Sequence, residues 1–189
     1  MLPEQFCVRM KEMLGEEYAA FYASYDLPKY QALRINPLKT ERDTFLLQAP
    51  FSLNRVPWTT NGYYYSGNDQ PGRHPYHEAG VYYIQEPSAM APAEYLMAEP
   101  GERILDLCAA PGGKSSQIAC YMQGEGLIVC NEIHPARAKI LSENIERMGV
   151  CNALVTNETP QKLSDNFREY FDRILVDAPC SGEGMFRKN

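Results

Sequence analysis

The chain reads as an α/β protein built on a parallel sheet, with an α+β extension ahead of it. Three observations carry that reading. From Arg103 onward β-rich and helical runs alternate without a break, between Leu27 and Gly80 no helical period persists, and the stretch from Pro3 to about Tyr25 is amphipathic. In that first stretch Phe6, Met10, Met13, Leu14, Phe21 and Tyr22 recur at helical spacing behind Pro3, a residue suited to a first turn, which predicts one or two helices. From Leu27 to Gly80, Tyr, Pro, Gly and Asn surround short apolar runs such as ALRIN and VPW, the texture of short strands and long loops. VYYIQ, starting at Val81, is β-rich, and Pro87 opens a helix through SAMAPAEYLM in which Pro92 is an awkward interior residue. Then come strand RILDLC, a glycine-containing turn, helix KSSQIACYM, strand LIVCNE, helix PARAKILSENIERMG, strand ALVTN and strand FDRILVDAPC.

Strands joined by helices form a parallel sheet with right-handed crossovers, and such sheets bind ligands at the carboxyl ends of their strands. Functional residues are therefore expected after Leu107, Cys130, Thr156 and Val176. Four strands are legible before Asn189, so the sheet reads as incomplete at its C-terminus. The domain boundary falls between an extension over residues 1–86 and a core over residues 87–189.

With 189 residues, 44% of them apolar, the chain is long and apolar enough to bury a core, which argues against intrinsic disorder. No run approaches the ~18 apolar residues of a membrane helix, and MLPEQFCVRMKEM lacks the basic head and apolar core of a signal peptide. A cytoplasmic protein with no membrane partner is expected. Six cysteines (Cys7, Cys108, Cys120, Cys130, Cys151, Cys180) contain no CxxC pair, so free thiols are expected rather than disulfides. A net charge of −6 does not suggest a nucleic-acid partner by itself, and residues 34–78 carry five basic groups against four acidic ones.

DLCAAPGGKSS follows a strand and opens a helix, so Gly112 and Gly113 let the backbone approach a ligand while the helix offers free amides. A phosphate-binding GxxxxGK[ST] loop requires glycine at the position of Cys108, and GxGxxG is absent, which disfavours a nucleoside triphosphate or a dinucleotide. A tight strand-to-helix turn without a ligand is the plainer alternative. Glu132 ends the second strand 19 residues after Gly113, the place for a carboxylate that accepts from two ribose hydroxyls; read alone, it equally suits a cap on the helix near Pro135. DAPCSGEG places Asp177 and Cys180 at the same rim of the sheet. A reactive Cys180 requires a lowered pKa from nearby positive charge, for which Arg187 and Lys188 are sequence neighbours; a buried inert thiol is the alternative. Cys108, Cys120, Cys130 and Cys151 are read as packing residues, and His74 and His77 as loop or packing histidines without ligand spacing, so no metal is expected. Tyr63, Tyr64, Tyr65, Tyr82 and Tyr83 suit sheet packing, with base stacking as the alternative.

Together DLCAAPGGKSSQIA, Glu132 and VDAPCSGEGMFRK resemble the Sun/Nop family of RNA cytosine-5 methyltransferases, and within it the bacterial small-subunit ribosomal RNA methyltransferase F group. Upstream, ALRINPLKT is similar to that family's RxN element, and HPYHEAGVYYIQEPSAMAPAEYL to its segment leading into the core. The resemblance implies a class I methyltransferase with a Rossmann-like parallel sheet, and an extension that faces RNA. It implies S-adenosylmethionine cradled by Cys108, Ala109, Ala110, Pro111, Gly112, Gly113 and Lys114, with Glu132 on the ribose and Asp177 near the methionine end or the target base. Where the family places an Asp beside the adenine, this chain has Asn157, Glu158 or Thr159, of which Thr159 is taken as the contact.

The implied product is 5-methylcytosine in small-subunit ribosomal RNA, formed through a cysteine–cytosine adduct. In that family the attacking cysteine lies in a later TC motif and the cysteine matching Cys180 assists product release. No TC dipeptide occurs in these 189 residues, so the chain alone is expected to lack the nucleophile. Two rivals stand beside this reading. One is a non-catalytic RNA-binding or assembly module that keeps the sheet as scaffold; the other makes Cys180 itself the nucleophile, as in DNA cytosine-5 enzymes.

Overall fold

The computed structural model describes residues 2–180, 182 and 186, and these fall into two compact units. The first comprises Met1–Lys29 together with Pro179–Asn189. It holds α1 (Glu4–Leu14) and α2 (Tyr18–Ala23), joined by a 3-10 turn at Gly15–Glu17, as the amphipathic spacing predicts. Phe6 is its buried ring, with the Phe186 ring edge-on at 4.8 Å and that of Phe21 at 6.2 Å.

The second unit, Tyr30–Ala178, contains two four-stranded sheets. The antiparallel one is built from β1 (Ala32–Ile35), α3 (Arg42–Gln48), β2 (Leu53–Arg55), β3 (Gly62–Tyr65), α4 (Pro75–Glu78) and β4 (Tyr82–Ile84), in strand order β2-β3-β1-β4. Helix α3 was not expected among the loops. Its seven residues are too few to establish a period, and Phe45 anchors it by packing with Leu33, Ile35, Tyr63 and Tyr82. His74 caps α4, its Nδ1 accepting the Tyr76 amide at 3.2 Å, and Tyr63, Tyr82 and Tyr83 are buried in or beside the sheet.

The parallel sheet is the one the alternation predicts. A 3-10 turn at Ser88–Met90 leads into α5 (Ala91–Leu96), followed by β5 (Arg103–Asp106), α6 (Gly113–Met122), β6 (Leu127–Asn131), α7 (Pro135–Arg147), β7 (Ala153–Thr156), α8 (Pro160–Asn166) and β8 (Arg173–Leu175). Pro92 is not interior after all: the regular helix starts only at Ala91, so Pro92 sits in its first turn, where its missing N–H is not needed. The strand order is β7-β6-β5-β8, all parallel. The chain winds outward from β5 to β7 and returns on the other side of β5, so the topological switch point lies between the carboxyl ends of β5 and β8. Ile104, Ile118, Met122, Ile128 and Leu141 form the main core of this sheet, all 0% exposed. Cys120 and Cys130 are buried as packing residues; Cys151, expected with them, is exposed because it follows the end of α7 in a bend. No helix among the described residues is long and apolar enough to cross a membrane.

The two sheets meet through β1, which is buried on both faces. Residues alternate across a strand, so Leu33 and Ile35 enter the antiparallel sheet's core while Arg34 and Asn36 turn toward α6 and α7. Asn36 Nδ2 donates to the carbonyls of Gly80 and Met148, each at 2.8 Å. Gly80 has φ +71, and a Cβ there would stand 2.1 Å from the Arg147 carbonyl oxygen, so the approach of the two halves requires glycine. Arg34, 1% exposed, donates to the Gly113 carbonyl at 2.6 Å, Gln85 Oε1 at 2.8 Å, Ser116 Oγ at 2.8 Å and Gln117 Oε1 at 3.3 Å. Burial lowers its pKa, and among the described residues no carboxylate hydrogen-bonds to it.

Arg34→Met keeps the bulk of the stem but removes four buried hydrogen bonds at once, of whose acceptors only the Gly113 carbonyl keeps a second side-chain donor, Ser116 Oγ. Unfolding in urea is expected to show a loss of roughly 1–3 kcal/mol, the cost of leaving buried neutral acceptors unsatisfied; an unchanged or increased stability contradicts this account of the junction.

Candidate functional site

Within the second unit the residues singled out by motif, the glycine loop, Glu132, residues 157–159 and Asp177, follow the carboxyl ends of β5, β6, β7 and β8. After Asp106 the chain leaves β5 through Leu107, whose amide still bonds to the Leu175 carbonyl, and Cys108; the Ala109 amide then bonds to the Asn131 carbonyl at 2.8 Å. This ties the start of the loop to both neighbouring strands. The turn is completed by Gly112, with φ +107, where a Cβ would lie 3.2 Å from Leu141 Cδ1; α6 starts at the next residue. Cys108, Ala109, Ala110, Pro111, Gly112, Gly113 and Lys114 therefore form one continuous strand-to-helix loop, as their spacing predicts.

Glu132 follows β6 and is 3% exposed. Its Oε1 accepts the His134 amide at 3.0 Å at the N-cap of α7, and its Oε2 faces Arg137 Nη1 at 3.1 Å. The cap-like bond and a ligand role are compatible, since each carboxylate oxygen has two lone pairs. Beyond β7, the side-chain amide of Asn157 donates to the Glu132 carbonyl at 2.6 Å, Glu158 pairs with Lys162 at 2.9 Å, and Thr159 Oγ1 caps α8 by accepting the Lys162 amide at 3.3 Å. Asn131 underlies this rim: its Nδ2 donates to the Leu107 and Glu158 carbonyls, and its Oδ1 accepts from Thr156 Oγ1 and the Glu158 amide.

Asp177 stands just past β8 and pairs with Lys114 Nζ at 2.7 Å, bridging the loop and the far side of the switch point. Cys180 belongs to the other compact unit; it is exposed, and its Sγ accepts the Gly182 amide at 3.4 Å. Arg187 and Lys188, the cations considered for activating Cys180, lie outside the described residues. Among the described residues no group of three or more His, Cys, Asp or Glu side chains is placed to hold a metal.

Motif reading passed over Asp106. It is 1% exposed at the very end of β5, its Oδ2 accepts from Ser115 Oγ at 2.7 Å, and its Oδ1 has no hydrogen-bond partner of good geometry among the described residues. Burial pushes its carboxyl up to about 6, against the opposing pull of the Ser115 hydroxyl and the Lys114 charge. A strand-terminal Asp immediately ahead of a glycine loop was the available signal. The rim thus presents Asp106, Glu132 and Asp177, a set of acceptors suited to a ligand that carries positive charge and hydroxyls. S-adenosylmethionine, with its sulfonium, ammonium and ribose diol, has that chemistry; a triphosphate does not.

Because Asp106 titrates near 6 when folded against an ordinary 3.8, the native state holds a proton between those values that the unfolded chain has released. Stability therefore falls as pH rises from about 4 to 6 and levels off above. Urea unfolding at several pH values is expected to show this fall in the parent and not in Asp106→Asn, with the variant more stable at pH 7 by on the order of 2–3 kcal/mol. Identical pH profiles for the two proteins contradict the assignment.

Known proteins match the chain over almost its whole length. A family model described as the N-terminal domain of 16S rRNA methyltransferase RsmF matches residues 2–87, and one described as 16S rRNA methyltransferase RsmB/F matches residues 93–189. The ribosomal RNA small subunit methyltransferase F of Enterobacter sp. (strain 638) is 38% identical over 198 residues, covering 99% of this chain and 41% of that protein. Its counterpart in Citrobacter koseri is 39% identical, with coverage of 99% and 41%. The crystal structure of a methyltransferase homolog protein from Pyrococcus horikoshii superposes with a TM-score of 0.86 at 30% identity, covering 100% of this chain and 63% of that one. The chain spans about two-fifths of the length of the curated relatives it matches. With more than half of its residues matched by the second of these descriptions and almost all the remainder by the first, the chain belongs to the RsmB/F family of 16S rRNA methyltransferases.

Proposed function

We propose that the chain forms the cofactor-binding half of an S-adenosylmethionine-dependent RNA methyltransferase that makes 5-methylcytosine in small-subunit ribosomal RNA, acting in the cytoplasm. The observation that carries it is the pairing, at adjacent strand ends, of the Gly112 turn into α6 with the buried carboxylate of Glu132. In this reading Cys108, Ala109, Ala110, Pro111, Gly112, Gly113 and Lys114 cradle the cofactor, Glu132 accepts from the ribose hydroxyls, and Thr159 stands at the adenine. Asp177, held by Lys114, serves the methionine end or the target base. When bound, S-adenosylmethionine supplies an electrophilic methyl group.

The target sets a second requirement. Carbon 5 of cytosine is too weak a nucleophile unaided; a thiolate adding at carbon 6 forms a C–S bond and makes carbon 5 enamine-like. After methylation a base removes the carbon 5 proton as the C–S bond breaks and the thiolate leaves. We assign Cys180 to that release. The attacking thiolate of the family sits in a TC dipeptide that these 189 residues do not contain, so the chain alone binds cofactor without turnover. Residues 1–86 form the RNA-facing extension in this reading, and residues 87–189 the methyltransferase core.

Calorimetric titration with S-adenosylmethionine tests the first half of the proposal. Binding is expected, weakened roughly 10–100-fold by Glu132→Ala, the range for a lost hydrogen bond to a charged group, and abolished by Gly112→Asp. A folded chain that does not bind, but holds RNA regardless of Gly112→Asp, points instead to a non-catalytic RNA-binding module. Methylation of small-subunit ribosomal RNA by the chain alone contradicts the second half. So does a covalent complex with 5-fluorocytosine RNA that Cys180→Ser abolishes, which makes Cys180 the nucleophile.

A further inference from the structure

One face of α7 grips the glycine loop at three successive residues. Arg137, Leu141 and Asn144 stand at positions i, i+4 and i+7, and so share a side of the helix. Arg137 Nη2 donates to the Ala110 carbonyl at 2.8 Å, Asn144 Nδ2 donates to the Pro111 carbonyl at 2.8 Å, and Leu141 fills the space where a Gly112 side chain would begin. The other arm of the Arg137 fork, Nη1, meets Glu132 Oε2 at 3.1 Å. A single guanidinium therefore hydrogen-bonds to the loop and forms an ion pair with the carboxylate beside it.

Charge alone gives little reason for a planar fork here, since the buried Glu132 carboxylate needs a cation beside it and an ammonium would serve that need. Geometry gives a better one. A guanidinium is planar and rigid, so a hydrogen bond from one end to the loop and an ion pair from the other set the separation of the Ala110 carbonyl and the Glu132 carboxylate. On the carboxylate, Oε1 accepts the His134 amide and Oε2 lies 3.1 Å from Arg137 Nη1, so both oxygens have a partner that favours one orientation while each keeps a lone pair. Asn144 shares the hold on the loop but does not touch Glu132.

We propose that Arg137 is a positioning residue for ribose recognition: it aims Glu132 and fixes its distance from the glycine loop. The inference rests on the cofactor reading of the site. It is tested by calorimetry of the chain with S-adenosylhomocysteine and its 3′-deoxyribose counterpart, which isolates the hydroxyl's contribution. The parent is expected to prefer the hydroxyl-bearing ligand roughly 10-fold or more. In Arg137→Met that ratio falls toward one; in Arg137→Lys, which keeps a charge without the fork, it is intermediate. Asn144→Ala, which loses bonds to the loop and to Arg147 but leaves the Glu132 contacts in place, weakens both ligands by one factor and keeps the ratio.

A parental ratio in Arg137→Met overturns the proposal, whatever happens to the affinities, because Arg137 is then only a brace. If that variant does not fold, a parental ratio in Arg137→Lys has the same force. A parent that binds both ligands equally overturns the proposal but leaves cofactor binding at the glycine loop standing, whereas a parent that binds neither overturns both.

Discussion

The junction of the two sheets depends on one buried cation. Removing a guanidinium from water is costly, and Arg34 meets that cost with dipoles: a backbone carbonyl, two side-chain amides and a hydroxyl, with the Tyr83 ring 5.6 Å from its carbon. Such an ion is tolerated only where every acceptor is already in place, so strand β1, the first turn of α6 and the Gln85 segment are mutually required. The hold extends outward. Gln117, which accepts from Arg34, donates to the Met90 carbonyl and to Glu94, and Glu94 in turn accepts from Thr59 and the Thr60 amide. The antiparallel sheet and the parallel sheet consequently form one compact unit rather than two.

That junction bears directly on the site. Gly113, whose carbonyl takes the shortest of the Arg34 bonds, is the first residue of α6 and a member of the glycine loop. The loop is thus held from three sides: by Arg34 at its end, by α7 along its length, and by Asn131 and Leu175 at its start. A binding loop set this way loses little further freedom when a ligand arrives, which is the physical content of preorganisation. Charge follows the same plan. Three carboxylates face the rim, and the cations nearest them, Lys114 and Arg137, each pair with one of them, Asp177 and Glu132, leaving Asp106 short of a partner.

What was legible in the sequence was whatever has a period or a fixed spacing. The four parallel strands, the glycine loop and the strand-end carboxylate of Glu132 all read directly, because alternation and βα geometry leave few other arrangements. Helix α3 did not, since seven residues anchored by Phe45 owe their conformation to a tertiary contact. Pro92 was misjudged because a preceding 3-10 turn moves the start of the helix, and Cys151 because its apolar neighbours do not enclose it. Arg34 and Asp106 were missed for a common reason: charged side chains are seldom buried, so sequence reasoning sends them outward. The signal for Arg34 was the alternation of ALRIN, which puts Arg34 and Asn36 on one face of a strand whose other face is apolar.

The same residue bears on the rival reading of the extension as a free-standing RNA-binding module. That reading relies on basic groups at a surface, because phosphate affinity comes from accessible Lys and Arg. Of the five basic groups between residues 34 and 78, Arg34 is turned inward, while the four acidic groups of the same stretch are all at least partly exposed. The surface of this stretch is therefore more acidic than its composition. Its most deeply placed cation acts on the first turn of α6, so this part of the extension contributes to the shape of the glycine loop before it contributes any affinity for RNA. A segment whose central strand braces the glycine loop suits a protein that uses that loop; in a module that keeps the sheet only as scaffold, the cost of burying Arg34 has no evident return in function.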